Sequence, residues 1–240
     1  MISRYLGARK GLALAVLTAS ALCSTPALAD GPSYTYVGAS YEWTDSKYGV
    51  NPNGDPRYNN GKFEGANIDL SLGLLSWLHL TGQYFSGDCV GCGIGVSNSQ
   101  PVTFDTDFSG YEVGLGVNLG LDRIGLNENT DFVLRANILS AELDGAQNSG
   151  LVKLDDNGWS LEGQIRGQIS DRAEVMVGYS YQDLSSVKNR DAIVALAYRV
   201  WAGLALTAEA NVFDDDTGFS LGIRWYFGDL LFGDRDSIVR

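Results

Sequence analysis

The amino-acid sequence predicts an all-β chain: a closed, antiparallel, up-and-down barrel of ten strands that crosses a membrane, with eight strands as the alternative count. Three observations predict it. Ten stretches alternate between apolar and polar residues, which puts one row of side chains on each face of a strand. The apolar rows read as free of charge, as a face toward hydrocarbon requires. The connections run long and short, so consecutive strands are antiparallel, with long loops at one end and tight turns at the other.

The elements follow in chain order. Residues 1–29 read as a secretory signal peptide: Arg4, Arg9 and Lys10, a short apolar stretch from Gly11 to Leu22, then Ala27-Leu28-Ala29 before Asp30. That apolar stretch is too short for a spanning helix, which needs about 20 residues. Leu22 precedes Cys23 where a lipoprotein signal carries a small residue, which argues against lipid attachment. Without the three cations of the leader, the net charge of −12 becomes −15. A nucleic-acid partner would want a basic stripe instead. The length of the remainder suits one domain.

The ten runs span 33–44, 63–75, 78–86, 108–120, 131–142, 158–169, 173–183, 191–201, 203–213 and 217–227. Long connections rich in Gly, Asn, Asp and Ser are expected at 45–62, 87–107 and 143–157. Tight turns are expected at Ser76-Trp77 and Ser170-Asp171-Arg172. Pro32, Pro52, Pro56 and Pro101 avoid the runs, as a hydrogen-bonded ladder demands.

Alternation alone does not say which face points out. Continuous apolar rows, such as Tyr111, Val113, Leu115, Val117 and Leu119, favour apolar-out. The facing rows are Gly-rich, with Gly110, Gly114 and Gly116 in one run, as a crowded lumen would be. They carry Glu42, Asp69, Glu112, Glu162, Glu174 and Glu209 against Arg135, Arg166, Arg199 and Arg224, and no Lys. Arginine suits enclosed bidentate pairing with carboxylates. In hydrocarbon an open sheet edge is not allowed, so the sheet closes, and an even strand count returns both termini to one side. Tyr34, Trp43, Trp77, Trp159, Trp201, Trp225 and Phe227 fall near run ends, as interfacial girdles do.

The last run carries the most specific pattern: Ser220-x-Gly222-x-x-Trp225-x-Phe227. It resembles the C-terminal recognition signal of the small outer-membrane β-barrel proteins of Gram-negative bacteria. With the leader and the ten runs, the resemblance covers 30–227. It implies export, signal-peptide cleavage, residence in the outer membrane among its lipid and lipopolysaccharide, and insertion by the barrel-assembly machinery. The family signal usually ends the chain, whereas residues 228–240 follow here, read as a short periplasmic tail with Leu230, Leu231 and Phe232.

Chemical constellations are sparse. His79 is the single histidine and lies just after a tight turn, at the periplasmic end. It reads as a polar lumen residue, since no histidine remains for a base at the outer rim. No catalytic residue, cofactor or metal site is expected. Cys89 and Cys92 read as a disulfide stapling a long loop after export. Asp214-Asp215-Asp216, Asp105, Asp107, Asp155 and Asp156 read as solvated acidic loop residues, with divalent-ion binding as the alternative. The expected role is structural or surface-interacting through the loops, with the lumen filled by Arg–carboxylate pairs. A narrow channel for ions or small solutes is the alternative. No extracellular ligand can be named from these residues.

Overall fold

In a computed structural model, residues 34–50, 56–97, 100–121, 129–147, 150–185, 188–201, 203–213 and 216–227 are described. The expected leader at 1–29, the tail at 228–240, Asp214 and Asp215 lie outside them. The ten strands are β1 (Tyr36–Val50), β2 (Pro56–Leu75), β3 (Leu78–Ser97), β4 (Gln100–Gly120), β5 (Thr130–Gln147), β6 (Gly150–Ser170), β7 (Ala173–Leu184), β8 (Lys188–Trp201), β9 (Leu204–Phe213) and β10 (Asp216–Tyr226). Each pairs antiparallel with its sequence neighbour, and β1 pairs with β10 to close the barrel. Ten is therefore the strand count, not eight. No helix among the described residues is long and apolar enough to cross a membrane; strands do the crossing.

Alternation sets the two faces. Leu115, Leu134, Ile138, Val177, Val194, Leu206, Leu221 and Ile223 are exposed on the outside. The inward rows hold the polar and charged residues. This inverts a soluble protein, because hydrocarbon, not the interior, takes up the apolar row. Trp43 and Trp159 mark the loop-end border of the band, and Trp77, Trp201 and Trp225 the turn-end border; all five are exposed. Tyr34 departs from the expected girdle. It is 2 % exposed and turned into the lumen, because a phenol hydroxyl finds there the carboxylate that a lipid face lacks.

Two further expectations are corrected. The outward rows are not free of charge over the full runs: Glu64 and Asp183 continue the outward faces of β2 and β7, and Glu142 that of β5. Glu64 and Asp183 lie directly opposite Trp43 and Trp159 at the loop-end border, and Glu142 lies beyond it, where the face meets water. The long loops are largely ladder. The β1–β2 pairing runs up to Val50 opposite Pro56, β3–β4 to Ser97 opposite Gln100, and β5–β6 to Gln147 opposite Gly150. Above the membrane both faces are hydrated, so the hydrophobic period vanishes while backbone pairing persists. The Cys89 region is such a case: the register slips between Cys89 and Gly93, a bulge within a strand rather than a loop tip.

The result is a lopsided rim. Strands β7, β9 and β10 have 12, 10 and 11 residues, close to the 9–11 that cross a bilayer at a tilt. β3, β4 and β6 have 20, 21 and 21. From Asp88 to Ser97, β3 continues for about 30 Å along its own direction.

Candidate functional site

The lumen divides into a packed floor at the turn end and a cavity at the loop end. The floor is organised around the segment Tyr34-Thr35-Tyr36, which the chain lays inside the barrel mouth as β1 begins. The Tyr34 hydroxyl donates to Asp131 at 2.7 Å, and its ring stacks on His79 with centroids 4.9 Å apart. The Ser71 hydroxyl donates to the Tyr34 carbonyl at 2.6 Å, and the Gly73 amide donates to Thr35 Oγ1 at 3.1 Å. His79 is fully buried, with Nδ1 2.7 Å from Asn118 Oδ1. The Asn118 amide in turn donates to the Ser76 carbonyl at 2.9 Å, tying the floor to the β2–β3 turn. Gly116 leaves the space that the imidazole fills; a Cβ there would collide with the ring.

Arginines cap this layer. Arg166, 1 % exposed, donates to both oxygens of Glu174 at 2.6 and 3.0 Å. Its guanidinium lies 4.9 Å from the Tyr34 ring centroid. Arg224 sits 4.2 Å from the Tyr36 ring centroid and reaches Asp69 at 3.9 Å and Glu174 at 4.0 Å. Arg199 packs on Tyr226 at 5.2 Å. Cations over aromatic faces gain most where water is excluded, and a bidentate carboxylate offsets the cost of burying a guanidinium.

Above the floor lies a cavity of about 560 Å³, lined by Glu42, Asp69, Glu112, Glu162, Glu174, Asp191 and Glu209 against Arg135, Arg166 and Arg224. Arg135 pairs with Glu162 at 3.3 Å, and the Gln164 amide also donates to Glu162. Glu112 accepts from Asn137 at 2.8 Å and from the Ser160 hydroxyl. Glu42 accepts from Thr44 at 3.1 Å. One wall is aromatic: Phe85 stacks on Phe108 at 5.0 Å, and Phe63 meets Phe108 edge-on at 5.6 Å.

All nine residues expected to form the lumen charge network thus face inward, but they do not form one network. Arg135–Glu162 and Arg224–Asp69 are ion pairs within the set. Arg166 and Arg224 also reach Glu174, which the polar-row count includes. Arg199 stacks on a tyrosine, and Glu42, Glu112 and Glu209 have no ion pair among the described residues. The sequence places His79, Arg166 and Glu174 in the lumen but not the tyrosines that join them: Tyr34 reads as a girdle residue, and Tyr36, Asp131 and Tyr226 carry no signal beyond their alternation. Ser220 and Gly222 face inward, whereas Trp225 faces out and stacks on Phe227 at 6.5 Å. Cys89 is disulfide-bonded; the side chain of Cys92 lies outside the described residues. Among them, no group of three or more His, Cys, Asp or Glu could hold a metal ion.

Comparisons with known proteins agree with this architecture. The family profile of the outer membrane protein beta-barrel domain matches residues 15–199. No curated protein matches the sequence. Among solved structures, the chain is similar to Ail, the attachment invasion locus protein of Yersinia pestis. The two are 13 % identical over 80 % of this chain and 99 % of that one, with a TM-score of 0.42. It is similar also to neisserial surface protein A (12 % identity, 81 % and 98 % coverage, TM-score 0.44). A third is OprG from Pseudomonas aeruginosa (11 % identity, 83 % and 99 % coverage, TM-score 0.42). The profile spans most of the sequence and the fold is a closed barrel with an apolar exterior, so the chain belongs to the outer-membrane β-barrel proteins of Gram-negative bacteria and resides in the outer membrane.

Proposed function

We propose that this barrel does not conduct and that it works at the cell surface, presenting a blind cup and three tall hairpins to the outside. The observation that carries this reading is the floor: Tyr34, His79, Asp131 and Arg166 are all at most 9 % exposed, and they bond to one another across the lumen. Barrels of about eight strands are filled by side chains, and open channels belong to those of about sixteen or more. Ten strands with a stacked floor fall on the filled side. The tall β1–β6 hairpins offer paired backbone well beyond the membrane, a rigid base for surface contacts.

Long hairpins at one end and short turns at the other favour the loop end as extracellular, with both termini periplasmic. Ser220, Gly222, Trp225 and Phe227 serve in this reading as the signal for the barrel-assembly machinery, and Cys89 and Cys92 staple the extended β3–β4 hairpin.

Planar-bilayer recording tests the proposal. Wild-type protein is expected to give no reproducible single-channel step, and Arg166→Ala combined with Tyr34→Ala is expected to give one. A reproducible step from wild-type protein would overturn the closed floor in favour of a narrow channel.

A further inference from the structure

The floor pairs its central charge, Arg166 with Glu174; the cup leaves Glu42, Glu112 and Glu209 without an ion pair among the described residues. Register places Glu209 opposite Ser220 on β10, and Ser220 opposite Glu42 on β1. Two carboxylates therefore flank one hydroxyl in a single cross-strand row, about 10 Å apart at the backbone, two strand spacings. Glu209 makes no hydrogen bond or ion pair to a described residue, and its charged neighbours are Glu162, Arg224, Glu42 and Asp69. Arg224 is already shared with Asp69, Glu174 and the Tyr36 ring. Two half-buried carboxylates in one row repel each other, and a cation between them relieves that repulsion.

Two further observations point to what supplies it. Gln164, 1 % exposed, lines the same cavity, and its buried carboxamide oxygen has no hydrogen-bond partner among the described residues. Beside the acidic row, Phe63, Phe85 and Phe108 form an apolar wall inside an otherwise polar lumen. Glycines make that wall possible: a Cβ at Gly110 would run into the Phe85 ring, and one at Gly65 into the Phe63 ring. Filling the lumen would not call for aromatic rings set next to unpaired carboxylates. A ligand with a cationic head and an apolar body would.

We propose that the cup binds a small amphiphilic amine, its ammonium held between Glu42 and Glu209 and its apolar body laid against Phe63, Phe85 and Phe108. An ammonium midway between the acids reaches both carboxylates and the Ser220 hydroxyl. Aromatic faces add cation–π attraction to the buried apolar contact. The cavity volume of about 560 Å³ suits a molecule of that size. The site does not require the floor to be closed.

The experiment uses the full mature chain in lipid nanodiscs, titrated calorimetrically with 2-phenylethylammonium and, in parallel, with neutral 2-phenylethanol and anionic phenylacetate. The amine is expected to bind at least about ten-fold more tightly than the alcohol, and the acid not at all. Glu42→Gln with Glu209→Gln should weaken the amine about ten-fold or more while leaving the alcohol unchanged. Phe85→Leu with Phe108→Leu should weaken amine and alcohol together. Glu64→Gln, on the outer face, should change neither. Heat-modifiable gel mobility reports folding of each variant. If the double glutamine variant does not fold, the wild-type ranking of the three probes still decides. Equal binding of amine and alcohol, or a folded Glu42→Gln, Glu209→Gln protein that binds as wild type, would falsify the site. A barrel that conducts yet binds the amine selectively would overturn the closed floor and leave the site standing.

Discussion

Floor and cup are lined by the same kinds of residue, arginine, carboxylate and aromatic ring, yet the two halves of the lumen are built to opposite ends. In the floor, each large side chain is held by another: Arg166 by Glu174 and Tyr34, Tyr34 by Asp131, His79 by Asn118. In the cup, rings stack only on rings, and Glu42, Glu112 and Glu209 have neutral partners or none. Charge that is paired packs a lumen. Charge in excess, kept at a cost, marks a place where something else is meant to arrive. The floor should therefore respond to substitution with lost stability, and the cup with lost binding.

The largest effect should come from splitting the floor's central pair. Arg166→Met leaves Glu174 buried without its bidentate donor, and removing one partner of a buried pair costs about 3–5 kcal/mol. Urea unfolding in lipid vesicles, followed by tryptophan fluorescence, checks it. Replacing both members, Arg166→Met with Glu174→Leu, should recover much of that loss. If it does not, the floor depends on the cation–aromatic contacts more than on the pair.

Gly116→Ala comes next. The added methyl meets the His79 ring, which is fixed between Tyr34 and Asn118, so an overpacking cost of about 1–3 kcal/mol is expected by the same measurement. Tyr34→Phe, which keeps the ring and removes the bond to Asp131, should cost about 1.5–3 kcal/mol, the range for a hydrogen bond to a charged group. A loss much nearer zero would mean that stacking, not the hydroxyl, holds the segment. By contrast, Glu209→Gln should leave unfolding unchanged or raise stability, since it removes a carboxylate that has no ion pair among the described residues.

The smallest effect lies on the outer surface. Register lines up Glu64, Asp88, Asp107 and Asp144 directly across β2, β3, β4 and β5, all four exposed toward the loop end. Like charges directly opposite destabilise a sheet. Asp88→Asn should therefore stabilise the barrel by about 0.2–1 kcal/mol at low ionic strength, and the gain should shrink as salt is raised.

Much of this was legible before any coordinates. Alternation in Phe219–Phe227 gives the face of each residue, and β10 keeps it: Leu221 and Ile223 out, Gly222 and Arg224 in. The inward direction of all nine network residues follows from the same parity. What alternation does not carry is height or partner. Asp88 and Asp107 read as loop residues, because a hydrated ladder needs no apolar period, yet they are paired opposite each other. Tyr34 reads as a girdle residue, because its sequence position near a run end is the same whether its ring turns to lipid or to the lumen.

The solvent and the closure are legible in the chain alone: continuous apolar rows backed by Gly-rich, Arg-bearing rows point to hydrocarbon outside, and hydrocarbon forbids an open edge. Which inward charges meet follows instead from strand register and barrel curvature. Parity is a local property of each strand. The closeness of Glu209 to Glu42, or of Arg166 to Tyr34, depends on the register of strands far apart in sequence and on curvature that brings opposite walls together. That is why the same ten runs could be read for where the protein lives, while the packed floor and the acidic cup above it had to be seen.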